Sequence, residues 1–125
     1  MKDMLKFKLK NYLGGNDQEV FLERTTYANN GALALLAYFP DDDGQVDPDY
    51  PDVLSINLES APSDKHTFYG DSSCHRTLEA LTNIGFIKPV GQVTQGLGTY
   101  TLFRIADKYW DKLIKAERTL ICIAF

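Results

Sequence analysis

The sequence predicts an α+β fold in which a mostly antiparallel sheet of about five to six short strands carries two helices packed on one side. Apolar and charged residues alternate early in the chain, as in half-buried strands. An Asn-Gly pair marks a hairpin, and helical periodicity appears only later, in two stretches. The 125 residues suit a single domain, residues 1–125.

The first strand is predicted from residues 5–10, where Leu, Phe and Leu alternate with three lysines. A lysine row suits the edge of a sheet, because like charges discourage pairing with another chain. The Gly-Gly-Asn-Asp run at residues 14–17 predicts a turn, and residues 19–26 a second strand.

The strongest hairpin signal is the Asn-Asn-Gly run at residues 29–31, since this pair tolerates the positive φ angles of a tight turn. Residues 32–39 are apolar on both faces, which predicts a central strand covered on both sides. A loop rich in Asp, Pro and Gly follows at residues 40–52, and alternation resumes in a strand at residues 53–59.

Residues 74–84 predict the first helix, since Leu78, Leu81 and Ile84 recur at helical spacing. A side chain at residues 71–73 caps its start and Gly85 stops it. Beyond it, the glycines at residues 91–98 predict a bend or flexible loop.

The C-terminal part of the chain predicts three more elements. Residues 99–105 are strand-like, and Asp107 opens an amphipathic helix with Tyr109, Trp110, Leu113 and Ile114 on its apolar face. Residues 120–125 predict a final apolar strand.

Four segments carry a family resemblance. Residues 27–35 contain a tyrosine, an Asn-Gly turn and a Leu-Ala strand, and residues 53–58 form a strand that ends in Asn-Leu. Residues 85–86 are a Gly-Phe pair, and residues 100–104 form a closing strand. Across residues 5–105 the chain resembles an uncharacterised bacterial and phage family, domain of unknown function 4313. The resemblance implies an accessory protein of phages, plasmids or conjugative elements and supplies no catalytic residues. Residues 106–125 form a C-terminal helix-strand extension.

The acidic loop is the most distinctive feature. Residues 41–64 contain eight acids and no base, so the rest of the chain is net +4 when the whole is −4. The favoured sites of contact with a basic protein partner are Asp41, Asp42, Asp43, Asp47, Asp49 and Asp52. Nucleic acid is not expected as a direct ligand, because this surface repels phosphates. A solvated loop and a weak cation site are the alternatives.

The sequence predicts no catalytic residue, cofactor or metal site. Cys74 and His75 are adjacent, but neighbours on a helix point about 100° apart and do not form a dyad. Two cysteines and two histidines at wide spacing do not supply a zinc site. An alternative function, small-molecule binding or a minor enzymatic activity, would use a pocket between helix and sheet near His66, His75, Tyr100 and Arg104.

The remaining expectations concern location and assembly. The two cysteines, Cys74 and Cys122, are expected to be free thiols in a reducing compartment, which predicts the cytoplasm. No apolar run approaches the ~20 residues that cross a bilayer, so no membrane is expected as a partner. Tyr109, Trp110 and Leu113 either form the core face of the last helix or mediate self-association into a homo-oligomer.

Overall fold

In the described part of the chain, residues 4–116 and residue 120 of a computed structural model, eight strands form two four-stranded antiparallel sheets. The strands are β1 (Leu5–Leu13), β2 (Asn16–Thr26), β3 (Leu33–Tyr38), β4 (Asp52–Val53), β5 (Ser55–Ile56), β6 (Thr67–Gly70), β7 (Ile87–Gln95) and β8 (Gly98–Ile105). The helices are α1 (His75–Asn83), which follows a 3-10 turn at Ser72–Cys74, and α2 (Asp107–Trp110). The mostly antiparallel α+β class is confirmed.

The first sheet has the order β1-β2-β3-β4. The edge position and alternation of β1 are confirmed, because Leu9 is buried while its lysines face solvent. Two of those lysines, Lys6 and Lys10, pair across the hairpin with Glu19 and Asp17 at 3.3 and 3.2 Å. Two of the three lysines of this row are therefore neutralised within their own sheet.

The central strand β3 is buried at every position, as predicted from its apolar composition. Leu35 and Ala37 face the main core, whereas Leu36 and Tyr38 lie on the opposite face in a second cluster with Ala116. The strand thus separates two apolar layers, which accounts for the absence of alternation in its sequence.

A single strand was predicted at residues 53–59, and this prediction is wrong because the chain changes sheet at Leu54. The backbone N–H of Leu54 donates to Leu35 of the first sheet, while its carbonyl accepts from Asp71, beside the second sheet. Both bonds are 2.9 Å long, and the Leu54 side chain is fully buried. The protein consequently has two sheets and eight strands in its described part rather than one sheet of five or six.

The segments that carry the family resemblance contact one another. Tyr27 donates from its hydroxyl to the Ser55 carbonyl at 3.2 Å. Asn57 donates to the Asn29 side chain at 2.7 Å and accepts from Asn30 at 3.0 Å. These residues hold the β2–β3 turn against the strand that joins the two sheets, which is a structural role.

Helix α1 stops before Gly85 as predicted, but the predicted side-chain cap belongs to the 3-10 turn that precedes the helix and not to α1 itself. Asp71 accepts a hydrogen bond from the backbone N–H of Ser73 at 2.9 Å, and Gly85 adopts a φ of +82° just beyond the helix. Leu78 and Leu81 face the main core, and the hydroxyl groups of Thr77 and Tyr12 of β1 form a hydrogen bond of 2.6 Å.

The second sheet, ordered β5-β6-β8-β7, contains the two strands that the sequence analysis missed. The predicted bend or flexible loop at residues 91–98 is wrong, since β7 runs through Gly91 and pairs with β8. A register shift between Pro89 and Gly91 accommodates the proline, which has no N–H to donate to the ladder.

The C-terminal segment returns to the first sheet. The predicted long helix is only one turn, α2, because the chain then pairs with β2. Ile114 accepts from the backbone of Arg24 at 2.9 Å and Ala116 donates to it at 2.7 Å, in a parallel arrangement. Leu120 bridges to Tyr27, and the rest of the predicted strand at residues 120–125 lies outside the described residues.

Candidate functional site

The acidic loop begins with a turn that Asp41 organises. Its carboxylate accepts hydrogen bonds from the backbone N–H groups of Asp43 and Gln45, both at 2.9 Å. The main chain adds bonds between residue 41 and Gln45, and Gly44 takes a φ of +77° that favours glycine. Asp41 is therefore committed to shaping the loop.

A second turn follows at Asp47, whose carboxylate accepts from the backbone N–H of Asp49 at 3.0 Å. Between the two turns, Val46 is half-buried and packs against the apolar cluster that contains Leu36 and Tyr38. These contacts fix the loop to the first sheet at its centre as well as at its two ends.

All six predicted contact residues are exposed, and four of them accept no hydrogen bond from the loop backbone: Asp42, Asp43, Asp49 and Asp52. Within the described ranges, none of these four carboxylates makes an ion pair or side-chain hydrogen bond. Tyr50 stands among them with 79% of its surface exposed. One loop with a hydrogen-bonded backbone thus carries four unneutralised carboxylates and one exposed aromatic side chain.

The alternative pocket residues divide between two places. His75 and Tyr100 line a cavity of about 230 Å³ between α1 and β8, together with Gly70 at its floor. His66 and Arg104 do not reach it and lie in a polar cluster at the start of α2. The four residues therefore do not form one pocket.

Arg104 is the centre of that polar cluster. Its guanidinium donates to Asp64 at 3.1 Å and to Asp107 at 2.8 Å. The pKa of Asp64 is lowered by the backbone N–H of His66 and by Arg104, and Arg104 itself lowers the pKa of Asp107. The two carboxylates are thus held ionised as structural partners of the arginine.

His66 lies on the edge of the same cluster. Its Nδ1 atom is buried without a hydrogen-bond partner among the described residues, 3.8 Å from an Asp107 oxygen. Its ring stacks on Trp110, with 3.9 Å between the ring centres. This imidazole consequently packs as an aromatic group.

No described cysteine or serine meets a histidine base. The Cys74 thiol donates to the Val53 carbonyl at 3.6 Å, and burial, followed by the negative charges of Asp71 and Asp52, raises its pKa. A raised pKa keeps the thiol protonated and unreactive. Neither histidine is hydrogen-bonded to a serine or to Cys74, and no three described metal-ligating side chains cluster. Cys122 lies outside the described residues.

The residues predicted for self-association pack within this chain. Leu113 is buried in the main core, and Tyr109 lies edge-on to Phe7 with 5.2 Å between the ring centres. Trp110 contacts His66 and the guanidinium of Arg24, whose central carbon is 4.5 Å from the indole ring. This arrangement fits the alternative interpretation, the core face of the last helix.

Sequence reasoning missed a second cavity, of about 280 Å³, whose wall includes Arg24, Lys65 and Trp110. One signal was present. In β2, Val20 and Leu22 face the core, and the period of two places Arg24 on that same face. An arginine on the core-facing side of a strand indicates a polar site on that side of the sheet.

None of the described helices is long and apolar enough to cross a membrane. Comparison of the chain with protein-family models, with curated proteins and with solved structures finds no match. The resemblance to domain of unknown function 4313 therefore stays a prediction.

Proposed function

We propose that this protein is a non-enzymatic binding module that docks its acidic loop, residues 40–52, onto a basic surface of a protein partner. The observation that carries the proposal is that the loop holds four carboxylates without ion pairs among the described residues, together with the exposed ring of Tyr50. The surface combines the two features that protein recognition uses, complementary charge and an aromatic anchor.

The order within the loop favours affinity. Asp41 and Asp47 bond to the loop backbone and Val46 packs on the sheet, so the loop keeps much of its shape before a partner arrives. A surface that is already ordered loses less conformational entropy on binding than a disordered segment. The free carboxylates then attract a basic partner over a distance of about 10 Å at moderate salt.

The charge distribution defines the partner. Residues 41–52 contain six acids and no base, which gives the loop a single sign of charge. Phosphate groups are repelled by such a surface, whereas clustered lysines and arginines of a protein are attracted. The family resemblance adds that the module would act in a bacterial cell, as an accessory protein of a phage, a plasmid or its host.

The test is capture of a partner from bacterial lysate, followed by titration of the purified partner at two salt concentrations. The loop variant is Asp42→Asn with Asp43→Asn, because neither side chain takes part in the loop's hydrogen bonds. The matched control is Glu79→Gln with Asp111→Asn, which removes the same charge from exposed positions elsewhere.

The loop variant is expected to weaken binding by about three- to tenfold at low salt and less at high salt, since each exposed charge contributes modestly and is screened. Tyr50→Ala is expected to weaken binding about tenfold or more at both salt concentrations, because its contribution is apolar. Equal affinities for the loop variant and its control would reject the acidic loop as the docking surface.

A further inference from the structure

The cavity beside Trp110 lies between the start of β3 and residues 61–65, and none of residues 40–52, the acidic loop, is among its lining residues. Its volume is about 280 Å³, close to the lower end of the range for small-molecule sites. Ala32, Leu33 and Pro62 supply apolar wall, and Arg24 and Lys65 supply two positive charges. A small ligand with one apolar part and one negative group matches this lining.

Arg24 is held in place for such a ligand. Its Nε atom donates to the Leu113 carbonyl at 3.1 Å, and its guanidinium lies over the Trp110 ring. These contacts leave the two terminal nitrogens without a partner among the described residues. A planar guanidinium with free terminal donors binds carboxylate and phosphate groups in a forked geometry.

The cavity wall has a surplus of positive charge. Lys65 is exposed and forms no ion pair with the described residues, so its ammonium group is available. Asp64 also lines the cavity, but Arg104 already neutralises it through a contact of 3.1 Å. Thr26 adds a hydroxyl that bonds to no described group and can serve a ligand oxygen.

We infer that this cavity binds a small organic oxyanion, with its charged group between Arg24 and Lys65 and its apolar body against Leu33 and Trp110. Carboxylates and phosphate monoesters share this chemistry, and the cavity volume limits the ligand to metabolite size. The inference goes beyond the proposed docking function, because none of its residues belongs to the acidic loop.

Trp110 is the only tryptophan of the chain, so its fluorescence reports on this cavity directly. The probes are benzoate and phenyl phosphate, which carry the two anionic groups on one apolar ring, inorganic phosphate, which lacks the ring, and benzyl alcohol, which lacks the charge. Each probe is titrated into the intact protein at low salt, and calorimetry confirms the stoichiometry. Saturable binding of at least one charged ring probe, tighter than that of phosphate or benzyl alcohol, is expected.

Two variants locate the anionic group. Lys65→Gln changes an exposed side chain and is expected to weaken binding about three- to tenfold. Arg24→Lys is expected to weaken binding about tenfold or more, since lysine keeps the charge but lacks the two parallel donors of the guanidinium group. Lys88→Gln, at an exposed position of β7 outside the cavity, is the control and should bind as the unchanged protein does.

Three results would overturn the inference. They are the absence of saturable binding by both charged ring probes, benzyl alcohol binding as tightly as benzoate, and equal affinities for Lys65→Gln and Lys88→Gln. If benzoate binds and phenyl phosphate does not, the ligand is a carboxylate, and the reverse result identifies a phosphate ester.

Discussion

The guanidinium carbon of Arg24, near the end of β2, lies 4.5 Å from the centre of the Trp110 ring at the end of α2. The indole also stacks on His66, just before β6. Three parts of the chain that are distant in sequence therefore meet at one aromatic side chain. This contact connects the first sheet, the second sheet and the C-terminal segment.

The Arg24–Trp110 contact is expected to stabilise the protein beyond the separate contributions of the two side chains. A double-mutant cycle with Arg24→Met and Trp110→Leu should give a coupling free energy of about 0.5–2 kcal/mol, the range for a cation over an aromatic ring. Urea unfolding of the four proteins measures it. Arg24→Met combined with Leu97→Ala, at the exposed β7–β8 turn, is the control and should be additive within about 0.5 kcal/mol.

Acid should weaken the cluster around Arg104. The pKa values of Asp64 and Asp107 are lowered from their ordinary value of 3.8, chiefly by the His66 backbone N–H for Asp64 and by Arg104 for Asp107. A carboxyl with a lowered pKa stabilises the fold fully above its ordinary pKa, and this contribution is lost as pH falls through the lowered value. The free energy of unfolding should therefore decrease between about pH 5 and pH 2.

Arg104→Met separates this cluster from other acid-sensitive groups. Asp17 also has a lowered pKa, caused mainly by the Asn11 backbone N–H and then by Lys10, and it remains in the variant. Some loss of stability in acid is thus expected to persist, with a smaller slope against pH than in the unchanged protein. Identical slopes for the two proteins would show that Arg104 does not stabilise the ionised carboxylates.

Leu113 anchors the segment that follows α2. Because its side chain is only 1% exposed and packs in the main core, Leu113→Ala should lower the free energy of unfolding by about 2–5 kcal/mol. Leu97→Ala removes the same atoms from an exposed turn and should change it by less than about 0.5 kcal/mol. Equal effects in chemical denaturation would mean that the segment does not pack as described.

The elements that the sequence predicted are those specified by local signals. The alternation after Leu5, the Asn-Gly turn before Ala32 and the caps at Asp71 and Gly85 each depend on a few adjacent residues. The change of sheet at Leu54 could not be predicted, because it depends on hydrogen bonds to Leu35 and Asp71, which are remote in the chain.

The candidate sites were predictable to different degrees. The acidic loop could be recognised from composition alone. The different roles of its aspartates could not, because only the backbone geometry shows that Asp41 accepts the hydrogen bonds of the turn while Asp42 is left exposed and free of them. The cavity at Arg24 is also lined by Lys65 and Trp110, and these residues lie too far apart in the sequence for any motif spacing to predict that they meet. His66 and His75 were grouped by residue type, but His66 lies in the polar cluster at the start of α2 and His75 lies at the start of α1.

Two glycines of the second sheet offer a matched pair of substitutions. A Cβ atom at Gly70 in β6 would lie 2.5 Å from the Phe103 ring and 2.9 Å from Leu78, whereas at Gly91 in β7 it would meet nothing within 4 Å. Neither glycine has a positive φ, so only the available space distinguishes them.

Gly70→Ala should therefore lower the free energy of unfolding by about 1–3 kcal/mol, because the Phe103 ring and the Leu78 side chain must both shift to admit the methyl group. Gly91→Ala should be neutral or stabilising by up to about 1 kcal/mol, since alanine restricts the unfolded chain and fits the strand. Urea unfolding of both variants measures the difference. A Gly70→Ala protein as stable as Gly91→Ala would mean that β6 and Phe103 do not approach each other this closely, and the packing of β6 between α1 and β8 would need revision.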